Sequence, residues 1–376
     1  MKKYFLEKGT VRQSGIFHYA ILAILFCFQV SLFTIEPTEV VPDFVSNNNF
    51  SYVGSASAQE ETVLQNTVKT EKSYTGKLLF MGDTMLDRGV GAQIEQGINP
   101  FEHVKDVLLN HDLRIANIET TIADPSFNSA ATKPYTFNAP LKSLEVLKAN
   151  NIDVSILANN HTGDFGASAT SNMIDLFEAN QLSYAGIGKD TASAFKPLIK
   201  YMVLAAEDGT KSVIKVGFIS VNDIELAHTK VSDAKTGGAY FDRTLITNSI
   251  QQARADGADI VVVIPHWGIE YQNQQSKNQE EWGRFLIDSG ADMVIGGHPH
   301  VIQPTEIYKN KPIVYSMGNF IFDGMSGDAL RGQMVSVPIK LNVAYDGQNS
   351  TRNVAVGESN SIEIQIDSYG LPHLTD

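Results

Sequence analysis

Cysteine is all but absent from this chain of 376 residues. Cys27 is the single one and sits in an apolar N-terminal run, so neither a disulfide framework nor a thiolate metal site can form. Any metal must be held by His, Asp, Glu or Asn. Positive charge is also scarce: 29 Lys and Arg face 42 Asp and Glu, a formal charge of −13, and no dense basic run lies beyond the N-terminus. Phosphate neutralisation needs a basic face, which argues against nucleic acid as a partner. No glycine-rich loop followed by Lys and Ser or Thr occurs, so the chain lacks a P-loop and cannot itself drive amide synthesis with ATP. Internal repeats and low-complexity tracts are missing too. The length suffices for one large domain or two ordinary ones.

What is present begins with topology. Lys2, Lys3, Lys8 and Arg12 make residues 1–15 a basic flank, expected in the cytoplasm, ahead of residues 16–35, which carry no charged side chain. At about 1.5 Å per residue, such a helix crosses a hydrocarbon core of about 30 Å. The expectation is a single-pass signal-anchor in the cell membrane with the remainder extracytoplasmic. Secretion after cleavage near Ala56-Ser57-Ala58 is the competing reading. One helix cannot form a pore unaided. Residues 36–75, with Pro37, Pro42 and many small or polar side chains, read as a flexible linker holding a domain at 76–376 off the membrane.

From Lys77 onward, short apolar runs alternate with amphipathic stretches. Runs at 78–81, 113–118, 154–158, 260–264 and 293–295 predict buried strands. Stretches at 100–110, 140–149, 167–179, 243–256 and 279–289 predict helices, with apolar spacings such as Leu141, Leu144 and Leu147. The alternation argues for an α/β class. Beyond Gln333 the pattern turns strand-like, as at Ile362, Ile364 and Ile366, and is expected to complete a sheet.

Each of the five strands ends in a residue able to bind a metal. They are Asp83, Glu119, Asn160 with His161, His266, and His298 with His300. In open α/β sheets, ligands sit beyond the carboxyl ends of strands. A polar residue after one strand is ordinary; the convergence of several marks a site. His18, His103, His111, His228 and His373 have no such context. Imidazoles with carboxylates and an amide oxygen, and no thiolate, suit one or two divalent ions such as Mn, Zn or Fe.

Seven segments carry a family resemblance: LLFMGDTMLDRGV, ANIETTI, YTFNAP, LANNHTGDFG, VVVIPHWGIEY, GADMVIGGHPHVIQPTEIY and PIVYSMGNFIFD, in that order. Together they resemble the CapA family of capsule-synthesis proteins, components of poly-γ-glutamate synthesis and export whose domain is related to the calcineurin-like metallophosphoesterases. The resemblance spans roughly residues 76–340. It implies an α/β, metallophosphoesterase-like sandwich of two mixed β-sheets flanked by helices, here preceded by the N-terminal transmembrane helix. The partners it implies are a cytoplasmic ATP-dependent amide ligase, a small membrane protein, and a polyanionic polymer or a phosphoester. A cell-surface phosphoesterase and a non-catalytic scaffold with a degenerate site are the alternatives.

Carried over residue by residue, Asp83 resembles the first metal-binding aspartate and Glu119 the carboxylate that bridges two metals. Asn160 and His161 resemble the pair in which the amide oxygen binds metal and the imidazole assists the leaving group. His266, His298 and His300 resemble the remaining ligands. Met85 departs from the phosphoesterase pattern, standing where a histidine is usual. Asp164 can orient the His161 imidazole or cap the helix starting near Ala167, and both readings stay open. Arg88 reads as half of a surface salt bridge or as a contact to an anionic substrate. Trp267, Glu270 and Tyr271 read as a packed loop or a cleft lining, and Asn319 is a lesser candidate for a polar contact.

Overall fold

The strand Thr70–Thr84 passes through the middle of the fold, and its side chains explain why. Leu78 and Phe80 point into one apolar cluster while Leu79 and Met81 point into another, and all four are buried. A strand apolar on both faces needs a layer above and below it. The structure, a computed structural model, describes residues 70–345 and 349–375. The expected basic flank, membrane span and most of the expected linker lie outside the described residues. Among the described residues, no helix is long and apolar enough to cross a membrane.

Thr70–Thr84 pairs in parallel with Leu113–Ile118, which pairs in parallel with Val154–Ile156. On its other edge runs the antiparallel strand Arg331–Tyr345. A second group of parallel strands comprises Lys211–Asn222, Ile260–His266, Met293–Ile295 and Lys311–Val314. Leu198–Ala205 lies antiparallel along the first of these. Two separate sheets were the expectation, but the hydrogen bonding makes one 15-stranded mixed sheet. The link between its halves is a single partner pair, Thr75 with Ala205. No local pattern announces so small a seam.

Three clusters show how the halves are layered. Leu78, Phe80, Ile115, Val154 and Ile156 of the first half share a central cluster with Phe218, Ile260, Val262, Ile264 and Ile295 of the second. The sheet therefore folds back on itself. The first half turns its other face to Val90, Ile94, Leu144, Leu147, Met173 and Phe177 of helices Arg88–Glu95, Lys142–Ala149 and Gly166–Ala179. The second half packs Val261 and Val263 against Ile246, Ile250 and Leu286 of helices Arg243–Ala255 and Lys277–Asp288. Each large aliphatic so buried contributes about 1.5–3 kcal/mol relative to exposure.

Local signals start the helices where the sequence places them. Asp242 accepts from Leu245 N at 3.0 Å, and Ser276 with Gln279 forms a reciprocal capping box. The linker reading is corrected at its end, because residues 70–75 are already strand, paired with Tyr345 back to Lys340. Their partner arrives from about 270 positions away, as the Thr70–Tyr345 register records, so composition alone could not reveal it.

All the parallel strands that carry ligand-capable residues release them on one rim. Gly82 makes this close approach workable. A Cβ there would lie 2.1 Å from Gly318 O, whose carbonyl accepts from Asp83 N at 3.0 Å. Gly82→Ala is therefore expected to push the two backbones apart and cost about 2–3 kcal/mol, read as a lower denaturation midpoint at unchanged m-value.

Candidate metal centre

Asp83 closes the first strand and is wholly buried. Its Oδ1 accepts from Asn117 Nδ2 at 2.7 Å, and its Oδ2 accepts from His298 N at 3.1 Å and faces His300 Nδ1 at 3.4 Å. Burial pushes this carboxyl up, but the His300 hydrogen bond and charge, His266 and Asn117 together hold it below the ordinary aspartate value. Gly297 leaves room for the arrangement, since a Cβ there would stand 2.6 Å from Asp83 Oδ1.

Glu119 follows the Leu113–Ile118 strand and occupies the middle of the group. Its Oε1 lies 3.5 Å from His266 Nε2, 3.9 Å from His161 Nε2 and 3.9 Å from His300 Nε2. Donor atoms of Glu119, His298 and His300 lie within 4.8 Å of one another, and so do those of Asp83, Glu119 and His266. Glu119 is common to both groups. Asn160 joins through its Oδ1, which accepts from His266 Nε2 at 2.9 Å. The six residues expected as ligands thus meet at one place.

Neighbouring charges drive two of the imidazoles in opposite directions, although burial lowers both. Burial drives His298 well below its ordinary value, reinforced by the neighbouring His266 and His300. It acts the same way on His300 but is outweighed there by the Glu119 charge and by Asp83 and Asn319, so that His300 is pushed up to about 9. His298 and His300 hold φ angles of 98° and 58°, a region costly for non-glycine residues.

The donor set fits a divalent cation. Both Glu119 oxygens are buried, and neither has a hydrogen-bond partner among the described residues; His298 Nδ1 is in the same condition. A buried carboxylate without partners is costly unless a cation meets it. Oxygen and imidazole donors without thiolate match Mn, Zn or Fe.

His161 stands beside the group rather than in it. Its Nδ1 lies 2.7 Å from Asp164 Oδ2, which also accepts from Phe137 N at 2.7 Å. Of the two readings of Asp164, this geometry is the orienting one. The helix begins at Gly166 with no side-chain cap bond. Arg88 is committed to Asp323, Nη2 to Oδ1 at 2.5 Å, with its guanidinium over Phe137 and Phe322. Trp267 is core, donating to Tyr315 O at 2.8 Å. Tyr271 is 54% exposed, its ring 6.0 Å from that of His300, and it lines a cleft with Asn273, Met325 and Asp328. Met85 packs in a small apolar cluster with Phe137 and Phe322.

Two residues the sequence reading passed over, Asn117 and Lys133, complete the site together with the lesser candidate Asn319. Asn117 lies between Asp83 and His266, 3.3 Å from the latter's Nδ1, and its signal is an amide between the apolar Ala116 and Ile118 of a strand end. Asn319 Oδ1 sits 2.8 Å from His300 Nδ1. Lys133, in a loop with no periodic signal, reaches Asp164.

Fold and donor set together define a mixed α/β protein with a histidine–carboxylate centre at the carboxyl ends of its parallel strands. The model of the bacterial capsule synthesis protein family PGA_cap matches residues 77–324, and the chain belongs to that family. It is 31% identical over 263 residues to the capsule biosynthesis protein CapA of Bacillus anthracis, covering 68% of this chain and 62% of that one. It is also 31% identical over 257 residues to the PGA biosynthesis protein CapA of Bacillus subtilis (strain 168), covering 67% and 65%. The chain thus spans a little under two thirds of the length of these relatives. Among solved structures it is similar to the calcineurin-like phosphoesterase YfkN from Bacillus subtilis, at 16% identity and a TM-score of 0.46, over 76% of this chain and 91% of that one.

Cation binding has a direct readout in stability. Mn²⁺ or Zn²⁺ added to chelator-treated protein is expected to raise the melting temperature by several degrees, since a hundredfold excess over Kd adds about 2.7 kcal/mol. Glu119→Gln removes most of that rise. An equal rise in both proteins would place the ion elsewhere.

Proposed function

We propose that this protein is a membrane-anchored, extracytoplasmic component of poly-γ-glutamate capsule synthesis and export, with a rim centre that binds one or two divalent cations. Asp83, Glu119, Asn160, His266, His298 and His300 would hold them. The observation that carries the reading is the Glu119 carboxylate, buried with neither oxygen accepting a hydrogen bond among the described residues, where imidazoles from separate segments converge. Membership of the capsule-synthesis family supports the polymer context. The uncharged stretch at 16–35 supports the anchor. The lack of a P-loop supports a reading in which a separate cytoplasmic ligase performs the ATP-driven ligation beside a small membrane protein.

The chemistry that fits the geometry best is hydrolysis of a phosphoester. A divalent ion held by Asp83, Glu119, Asn160, His266, His298 and His300 would supply Lewis acidity and a water acidic enough to ionise near neutrality. Asp164 accepts from His161 Nδ1–H, which fixes the tautomer and leaves Nε2 facing Glu119 from 3.9 Å. As the imidazolium, carrying a second proton on Nε2, His161 would give that proton to a leaving oxygen or hydrogen-bond through it to the developing charge on phosphate. Phe137, its ring 4.2 Å from that of His161, shields the imidazole from solvent. Met85 favours a second reading, a centre that binds without turnover, because an apolar side chain fills the position where the phosphoesterase pattern has an imidazole.

Two measurements separate these readings. His161→Ala should lower phosphoester turnover about 10²–10⁴-fold, more for alkyl than for nitrophenyl leaving groups, with metal content unchanged. Absence of metal-dependent turnover in the wild-type chain would leave the binding reading. In a polymer-producing host, the Asp83→Ala, His298→Ala double variant is expected to lose capsule polymer while still folding and reaching the membrane. Wild-type polymer yield from that variant would reduce the domain to a scaffold.

A further inference from the structure

Lys133 is a lysine hidden beside the rim. Its side chain is only 5% exposed, although the loop around it is irregular. The ammonium meets three oxygens: Asp164 Oδ1 at 2.7 Å, Glu225 Oε2 at 2.6 Å and the Asn160 carbonyl at 2.8 Å. The Asn160 carbonyl and Glu225 Oε2 accept hydrogen bonds from it, and Asp164 Oδ1 completes an ion pair, so that the ammonium ties the His161 loop, which carries both Asn160 and Asp164, to the turn carrying Glu225.

The same segment grips the His161 loop at further points. Ala131 N donates to Asp164 O at 2.7 Å, Phe137 N to Asp164 Oδ2 at 2.7 Å, and the Phe137 ring lies 4.2 Å from that of His161. From the opposite side, the turn carrying Glu225 presses on Gly163, where a Cβ would stand 2.3 Å from His228 O. Glu225 itself holds a left-handed φ of 49°. Burying a lysine between carboxylates is a poor way to gain stability, because desolvation consumes most of the attraction. What such an arrangement does fix is direction.

We infer that Lys133 is a positioning residue, which sets the Asp164 carboxylate and the Asn160 backbone so that His161 and the Asn160 amide face the centre together. The inference rests on the reading of His161 and Asn160 given above, but its first test does not. In the metal-free full chain with ¹⁵N-labelled histidine, the hydrogen-bonded Nδ1–H proton of His161, assigned by its loss in His161→Ala, should appear far downfield. Lys133→Met is expected to shift it upfield or lose it to solvent exchange, and Lys133→Arg to retain it in part. Glu225→Gln, which keeps the Asp164 and Asn160 contacts, should leave it in place.

Cation affinity in Lys133→Met should fall roughly 10–100-fold, the usual effect of disturbing groups behind metal ligands. Any phosphoester turnover should fall similarly in kcat with KM little changed. A folded Lys133→Met protein with the His161 resonance unmoved and cation affinity intact overturns the inference. Should that variant fail to fold, Lys133→Gln reports the same resonance and is judged by the same outcomes. A wild-type protein without hydrolytic activity would sink the phosphoesterase reading alone, since the resonance and the cation titration need no turnover.

Discussion

The structure depends on one carboxylate being kept away from water. Glu119 lies at the end of a strand buried on both faces, with imidazoles from three other chain segments, His161, His266 and His300, within 4 Å of its Oε1. Placing it there requires layers on either side of the strand, which the central and outer apolar clusters supply. It also requires neighbouring strands to run parallel, so that their carboxyl ends bring Asp83, Asn160, His266 and His298 to the same rim. The apolar interior thus creates the electrostatic demand that the donor set answers. A cation in such a place is held by several weakly hydrated partners at once, where a solvent-exposed cluster would leave most of that attraction screened.

Much of this was legible in the chain because strand and ligand signals coincide. The runs at 113–118 and 293–295 return with the same bounds as Leu113–Ile118 and Met293–Ile295, and each hands over directly to Glu119 or to Gly296-Gly297-His298. The helix read at 243–256 appears as Arg243–Ala255, announced by the Asp242 cap. Failures fall where structure depends on distant partners. Residues 70–75 look like linker because their ladder partner lies at 340–345. The single Thr75–Ala205 pairing that turns two sheets into one has no pattern of its own. Lys133 has the composition of a loop residue and gains its meaning only from three oxygens on other loops.

Met85 shows how an apolar substitution is absorbed at a polar rim. The side chain is fully buried with Phe137 and Phe322, and its sulfur accepts from Asp87 N at 3.1 Å. Those same rings pack on the site, Phe137 against His161 and Phe322 against His300 at 5.1 Å. Beside Asp83 the three side chains form a dry wall against which the two neighbouring histidines pack. Asn319 and Asn117 supply the remaining polar contacts, one to His300 and one to Asp83. The asymmetry is thus built into the packing rather than left as a hole.

The backbone around Pro299 carries a further consequence. His298 and His300 are wound into left-handed geometry, His298 N is held by Asp83, and Pro299 O accepts from Tyr271 N at 2.8 Å. The spacing of the two rings is therefore decided when the chain folds, before any ion arrives. A bracket so held would act as a gauge for any ion the site takes, favouring guests by radius and preferred angle.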